Sequence, residues 1–536
     1  MSQALNLNNS NNSIDLLKIL KNLTKHSLTA SCITLISRIS GFIRDILTAV
    51  LFGATVGYDA YVLAFRIPNL MRRLFAEGAF SQAFIPIFAE YTQQKSHQEI
   101  KLFLNKIAGN LAFILFIITI LGIFLSPWVV EIFAPGFIKN PLKLQASINM
   151  LRITFPYIFF ISLTALAAGV LNCYQKFMVP AFTPVLLNIS LIISSLLLAK
   201  KFIIPELSLA WGVLIAGVIQ LAFQLPFLYK LRLLPKLTVS WSDAGVKRVL
   251  FLMIPAIFGA AIGQINILID SVFASFLQTG SITWLYYADR LMEFPLGIFG
   301  VSFATVLLPQ LSRSFANKNY KQFHEVLEWG IRFALIVGVP ATMILLFLAD
   351  HIMSTLFLRG KFTYYDVLMS SQSLMAYSFS VLGIMLVKIF SSGFYAKGDL
   401  KTPVKVGCIV LLANIVLNSI LTKYLAHVGI ALATSIVSLL HATMLFICLE
   451  KELLKNSVIA NNTKKLSKLT INLLFSTILL ALFLNFYPPE ISLWAALPLK
   501  YKIFRLIEIF TLAGSIYCGT LWLMGMRLKH VMAGGY

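Results

Sequence analysis

Guanidinium groups punctuate the first two apolar stretches of the chain. Arg38, Arg44 and Asp45 fall in Ser37-Arg38-Ile39-Ser40-Gly41-Phe42-Ile43-Arg44-Asp45, and Arg66, Arg72 and Arg73 in Arg66-Ile67-Pro68-Asn69-Leu70-Met71-Arg72-Arg73. A simple membrane anchor would carry aliphatic residues there. A charge near the bilayer centre costs about 2.5–3.5 kcal/mol on insertion scales, so several persist only where they face a bundle interior or a wet cavity. The chemistry on offer is anion binding. Its natural ligand is an anion that must cross the membrane or be turned over within it.

Arg38 and Arg44 are six positions apart, roughly 240° around a helix, so they do not share a narrow face. Arg38 has no adjacent acid, whereas Arg44 can pair structurally with Asp45 or meet a ligand. The second segment adds Asp59, Glu77 and two prolines, Pro68 and Pro86, each removing a backbone donor, and a kinked or broken helix is expected there. Such a bent, charged helix suits a moving gate, with one of Arg72 and Arg73 pointing inward and the other snorkelling or pairing with Glu77. Further along, Tyr286-Tyr287-Ala288-Asp289-Arg290-Leu291-Met292-Glu293-Phe294-Pro295 carries a second charged set in which Arg290 and Glu293 can pair at i,i+3. A neutral-to-acidic group comprises Asp270, Asn414, Asn418 and Thr434. Its oxygens suit a hard cation such as Na⁺, and interhelical hydrogen bonding is the alternative reading.

The elements that must position these residues follow from composition. Over 536 residues, 58% are hydrophobic and only 12% charged, and the mean hydropathy is +0.84. The chain is an all-α polytopic membrane protein, because a soluble enzyme must cover its core with polar groups. A spanning helix needs about 20 apolar residues. Windows of that length predict about fourteen transmembrane helices, near 27–52, 58–90, 106–134, 148–174, 180–200, 207–229, 247–277, 283–312, 327–357, 367–395, 402–423, 429–450, 466–487 and 503–526. Lys95, Lys101, Lys230, Arg232, Lys236, Lys247, Arg248, Lys397, Lys401, Lys451 and Lys455 belong to a basic set of loops. The alternate set holds only Lys139, Lys143, Lys200, Lys201, Arg359, Lys361, Lys423, Lys500 and Lys502. The asymmetry predicts that both termini are cytoplasmic.

The net charge of +23 is dispersed over these loops and forms no single basic domain, which argues against nucleic acid. Cys32, Cys173, Cys408, Cys448 and Cys518 show no CxxC or Cys/His spacing, so disulfide and zinc chemistry have little support. No GxxxxGK[ST], HExxH or GxSxG pattern occurs. The chain reads as a transporter and not an enzyme, driven by an ion gradient, the membrane potential or the substrate's own gradient.

The halves resemble each other when displaced by a little over two hundred residues. Phe52 to Pro86 and Phe276 to Pro309 each pass from a helix end through a Gly-containing loop into a helix carrying an arginine, Arg66 or Arg290. Tyr174-Gln175-Lys176 and Thr183-Pro184-Val185 are echoed by Tyr395-Ala396-Lys397 and Thr402-Pro403-Val404, with Asn188 and Asn414 in the helices that follow. Two six-helix lobes in pseudo-two-fold repeat plus two C-terminal helices are expected, with the substrate site between lobes. The expected parts are a polar cytoplasmic extension over 1–26, an N-terminal lobe over 27–235, a C-terminal lobe over 236–455, and the last two helices and tail over 456–536.

The run from Ser37 to Asp45, then Phe52-Gly53-Ala54, Asp59-Ala60, Pro68-Asn69-Leu70-Met71-Arg72-Arg73 and Phe75-Ala76-Glu77-Gly78-Ala79-Phe80-Ser81-Gln82-Ala83-Phe84, resembles the MurJ (MviN) family. So do the Tyr286–Pro295 segment and Phe394-Tyr395-Ala396 through Lys401-Thr402-Pro403-Val404. The resemblance covers nearly the whole chain, weakening in the Asn-rich extension and the last two helices. It implies a lipid II flippase of the MOP superfamily in the bacterial inner membrane, with two lobes facing each other in a V and two extra helices forming a lipid-facing groove. Lipid II is an undecaprenyl-pyrophosphate disaccharide-pentapeptide, so its head group is large, polar and anionic.

By resemblance Arg38, Arg44, Arg72 and Arg290 match cavity arginines, and Asp59 and Glu293 match functionally sensitive acids. Arg66 stands where relatives can carry Lys. The Asp270 group resembles a sodium site in some members, so no cofactor is expected beyond a coupling Na⁺. The residue pattern and the resemblance together lead to the expectation that arginines of both lobes bind the pyrophosphate, with Asp45, Asp59, Glu77, Asp289 and Glu293 as candidates for gating or charge pairing. The expected partners are lipid II, membrane phospholipids and cell-wall synthesis proteins, and the chain is expected to be a monomer. A flippase for another polyprenyl-linked glycan, a MATE-like drug antiporter and a non-transporting scaffold are the competing readings. An acidic or aromatic cavity would favour the antiporter, because it must hold cations.

Overall fold

The computed structural model describes residues 33–454 and 463–526. The polar extension over 1–26, Cys32, residues 455–462 and the tail from 527 lie outside the described residues. Helices dominate: α1 (33–52), α2 (Val56–Met71), α3 (Ser81–Gln94), α4 (His97–Phe124), α5 (Ser126–Phe133), α6 (Pro141–Thr154), α7 (Tyr157–Cys173), α8 (Met178–Leu197) and α9 (Leu207–Lys230). There follow α10 (Ala244–Ser275), α11 (Ser281–Ala316), α12 (Tyr320–Phe347), α13 (Ala349–Phe357), α14 (Tyr364–Ala396), α15 (Lys401–Leu454), α16 (Thr463–Phe486), α17 (Ile491–Ala496) and α18 (Leu499–Leu523). Among the described residues the extended pairing is a single bridge, Arg359 to Phe362. Eight described helices are long and apolar enough to cross a membrane. Phe116, Phe124, Trp128, Leu197, Leu412, Phe504 and Leu523 stand exposed on their flanks, an apolar surface that lipid covers and water would not tolerate.

Local chemistry sets several boundaries. Ser96 and Glu99 form a reciprocal capping box that starts α4 at His97, earlier than the predicted 106. Thr363 and Asp366 do the same for α14. The predicted break in the second segment is present but falls between the prolines. Pro68 lies within α2 and Pro86 within α3, and the nine residues Arg72–Phe80 between them form a π-helix, a widened turn frequent at functional sites. In α15 the helix is interrupted at Ala426 (φ 48°, ψ −130°), which separates the predicted 402–423 and 429–450 spans.

The chain divides into two compact units. Unit 1 holds the residues up to Thr48, Leu63–Val130 and Leu142–Ala261. Its core packs Phe84, Phe88, Phe103, Leu104, Val170 and Val246. The segment before α10 is strapped along α4. The Asn105 side chain accepts from Lys236 N at 2.7 Å, and Asn110 exchanges two bonds with Ser240 (2.8 and 3.0 Å). Gly109 admits the strap, because a Cβ there would sit 2.4 Å from the Thr238 backbone. Lys106 closes it with an ion pair to Asp243 at 2.7 Å. Burial pushes the Asp243 carboxyl up, but Lys106 and the Val246 and Gly245 N–H groups outweigh that and hold it below the usual range.

Unit 2 holds Ala49–Val62, Glu131–Pro141 and the chain from Ile262 onward. The 49–62 hairpin is built into it. Lys361 N donates to Val50 O at 2.9 Å, and the Tyr58 ring stacks on Tyr287 with centroids 5.8 Å apart. Gly53 (φ +65°) and Gly360 (φ +59°) permit this approach, since a Cβ on either would fall within 2.4 Å of the opposing carbonyl oxygen.

Candidate functional site

In unit 1, Arg44 is mostly buried on α1 and its guanidinium is held on two sides. Asp45 Oδ1 accepts from Nε at 3.0 Å and from Nη2 at 2.6 Å, while Asn188 Oδ1, on α8, accepts from Nη1 at 2.9 Å. The structural pairing read from the sequence is therefore present, and it has a neutral third member. Arg38 is exposed on the same helix, and Arg66, Arg72 and Arg73 are half-buried. Arg72 donates from Nε and Nη2 to Asn69 Oδ1, one turn back (3.1 and 2.9 Å). The Glu77 side chain lies outside the described residues.

In unit 2, the buried Asp59 carboxylate accepts from Gly280 N (2.8 Å), Thr283 N (2.9 Å) and Thr283 Oγ1 (2.6 Å). Gly280 is the N-cap residue of α11 and offers no side-chain cap of its own. Asp59 thus supplies, from another helix, both an acceptor and a negative charge at the positive end of α11. The expectation of gating or charge pairing did not include this capping role.

Arg290 pairs with Glu293 at 3.0 Å, as the i,i+3 spacing predicts, and its guanidinium carbon lies 5.0 Å from the Tyr286 ring centroid. Asp289 is half-buried beside it. Elsewhere in unit 2, Asp270 Oδ1 accepts from Asn414 Nδ2 (3.2 Å) and Asn418 Nδ2 (2.8 Å), and Oδ2 from Thr434 Oγ1 (3.4 Å). Asn266 joins them, accepting from Asn414 Nδ2 at 3.3 Å. The predicted four residues therefore come together. The Asn414 and Asn418 Oδ1 atoms are buried without a hydrogen-bond donor, and such orphaned carbonyl oxygens beside a carboxylate fit a hard cation.

Sequence reasoning missed the contacts that fix these groups. Asn188 was visible as an echo of Asn414 but not as the partner of Arg44, and Asn69, Asn266 and Tyr286 carried no signal beyond their types.

Comparison with known proteins gives the arrangement a context. The family described as lipid II flippase MurJ matches residues 48–500. The chain is 42% identical over 509 residues to a probable lipid II flippase MurJ of Buchnera aphidicola subsp. Acyrthosiphon pisum (strain APS), covering 95% of this chain and 99% of the relative. Among solved structures it is similar to lipid II flippase MurJ in an inward closed conformation, with a TM-score of 0.74 and 28% identity over 92% of this chain and 100% of that one. An inward-facing multidrug resistance MATE family transporter of the MOP superfamily aligns with a TM-score of 0.67 over 80% of this chain and 98% of that one. At 13% identity that likeness is of fold alone. The extent of the family match and the end-to-end similarity to the Buchnera protein establish that this chain belongs to the MurJ lipid II flippase family.

Proposed function

We infer that this chain flips lipid II across the bacterial inner membrane. Family membership supplies the substrate class, and the observation that carries the reading in this molecule is Arg44, a mostly buried guanidinium on a membrane helix that Asp45 and Asn188 hold in place. Arg44 in unit 1 pairs with the Asp45 carboxylate and Arg290 in unit 2 with that of Glu293. A pyrophosphate can take over hydrogen bonds from these acids, because planar guanidinium forks match phosphate oxygens. Arg38, Arg66, Arg72 and Arg73 add cationic character to the same unit as Arg44. The antiporter reading is disfavoured, because cationic drugs would meet repelling charges there.

In this account binding of the head group relieves repulsion among the arginines, and the change of partner biases the carrier between states open to the two sides. The polyprenyl tail stays in lipid along the α16–α18 hairpin. Asp270, Asn414, Asn418 and Thr434 would hold Na⁺, and a bound Na⁺ supplies positive charge against the Asp270 carboxylate. We further assign about fourteen crossings, cytoplasmic termini and a monomeric carrier to this chain, on the loop charge asymmetry and the repeat.

The test is rescue of cells depleted of their own flippase. Wild type restores growth, and Arg38→Ala and Arg44→Ala at matched membrane levels do not. Full rescue by both variants would remove these arginines from the mechanism. Failure of a correctly inserted wild type would shift the substrate to another polyprenyl-linked glycan.

A further inference from the structure

The contacts of Arg44 contain an asymmetry that the flippase reading does not use. Asp45 is charged and Asn188 is neutral. Asn188 is buried on α8, and every polar atom of its amide is engaged. Oδ1 accepts from Arg44 Nη1 (2.9 Å), and Nδ2 donates to Ser37 O (3.1 Å) and Ser40 Oγ (2.9 Å). The two donor bonds to α1 fix which way the amide faces. A flipped amide would turn its NH₂ toward the guanidinium and its oxygen toward the Ser37 carbonyl, losing the bonds to both. The amide lies over Gly41, where a Cβ would meet its Nδ2 at 3.4 Å. Arg44 is thereby clamped from a second helix by a group that carries no charge. The corresponding helices of the other half place Asn414 against Asp270, with the Asn414 oxygen buried and lacking a donor. In the first half, the asparagine oxygen is filled by a cation that belongs to the chain.

We propose that Asn188 is a positioning residue for Arg44, a neutral acceptor that aims the guanidinium at an anionic diphosphate without adding a negative charge of its own. The proposal rests on the reading that Arg44 meets the lipid II head group. A carboxylate in place of the amide would keep the contact to Nη1 but add a second acid beside Asp45, so the local charge becomes more negative by one and repels the ligand. An alanine would remove the anchor without adding charge.

The experiment measures binding of a short-chain isoprenyl diphosphate to the purified full-length chain in detergent, with thermal stability recorded in parallel. The variants are Arg44→Ala, Asn188→Asp and Asn188→Ala. Arg44→Ala abolishes binding. Asn188→Asp weakens it roughly 10- to 100-fold and weakens binding of the matching isoprenyl monophosphate less, because the added negative charge repels the more highly charged ligand more strongly. Asn188→Ala weakens it about tenfold, without that preference between the two ligands and without a matching loss of folded protein. If Asn188→Asp does not fold, Asn188→Ala alone decides. Wild-type affinity in the Asn188 variants with loss in Arg44→Ala overturns the positioning role and spares the flippase reading. The same holds for losses that only follow thermal stability, or that in Asn188→Asp are no larger for the diphosphate than for the monophosphate. Wild-type affinity in Arg44→Ala removes the contact on which the proposal stands and overturns both.

Discussion

Replacing Asp59 tests the most specific structural contact in unit 2. Its carboxylate is fully buried and accepts from two backbone N–H groups and one hydroxyl at the start of α11. Hydrogen bonds to a charged group contribute about 1.5–3 kcal/mol each, but burying the acid offsets part of their sum. Asp59→Ala leaves two buried N–H groups without their acceptor and is expected to cost about 3–5 kcal/mol. Asp59→Asn keeps one acceptor oxygen and loses the charge at the helix terminus, for an expected loss of about 1–2 kcal/mol. Thr283→Val removes only the hydroxyl donor and should cost about 1 kcal/mol. In a double-mutant cycle, Asp59→Asn and Thr283→Val should couple by at least about 0.5 kcal/mol, because they share one bond. The assay is equilibrium unfolding in mixed detergent followed by tryptophan fluorescence. Trp284 is a local reporter, buried next to Thr283 with its Nε1 donating to Asp366 at 2.9 Å. Unchanged stability in Asp59→Ala, or strict additivity of the pair, would refute the capping argument.

Other outcomes follow from the same geometry. Gly53→Ala puts a methyl 2.4 Å from Lys361 O on a left-handed backbone and should destabilise the chain by about 2–4 kcal/mol. Gly398→Ala, where nothing lies within 4 Å, should cost only about 1 kcal/mol for the backbone, and equal losses in the two unfolding curves would contradict the packing argument. His351 sits on α13, a nine-residue helix beyond the α12 span, where its Nε2 meets Pro489 O at 2.9 Å. Burial holds its imidazole below the usual value against the opposing pull of Pro489 and Asp350. The folded state therefore stays neutral while the unfolded state protonates. Stability is unaffected above about pH 6.5 and falls as the pH drops below it, by at most about 1.4 kcal/mol per pH unit. His351→Gln should flatten that slope in melts between pH 7.5 and 5.5, and an unchanged slope would assign it to another group. Na⁺, compared with K⁺ at equal ionic strength, should raise the melting temperature of the wild type, and Asn418→Ala should abolish the difference. A wild type indifferent to Na⁺ would end that assignment.

Much of the helical frame was legible because hydropathy acts over whole windows. The 207–229 window meets α9 within a residue or two, since Pro205 and Glu206 stand before it and Lys230 and Arg232 at its far end. The start of α4 was missed because its first turn, His97-Gln98-Glu99-Ile100-Lys101, is too polar to register as a span, although the Ser96 and Glu99 capping pair was there to be read. The prolines of the second segment signalled a break, but its form depends on how the backbone widens over Arg72–Phe80, which no residue type announces. Pairings between neighbours, Arg44 with Asp45 and Arg290 with Glu293, follow from spacing alone. Asp59 and Asn188 do not, because their partners are 221 to 224 and 144 to 151 positions away and only folding brings them within reach. The interruption at Ala426 was hidden for a different reason. An alanine there adopts a positive φ that local sequence disfavours, so tertiary packing sets it.

The most direct test of the central claim is translocation itself. Purified chain is reconstituted into liposomes carrying fluorescent lipid II in both leaflets, and a membrane-impermeant quencher reports how much reaches the outer face. Wild type should make nearly all of the label accessible over time, whereas Arg44→Ala and Arg290→Ala, inserted equally, should leave the inner-leaflet half protected. Label that stays protected with folded wild type, or becomes accessible equally with the arginine variants, would contradict the account.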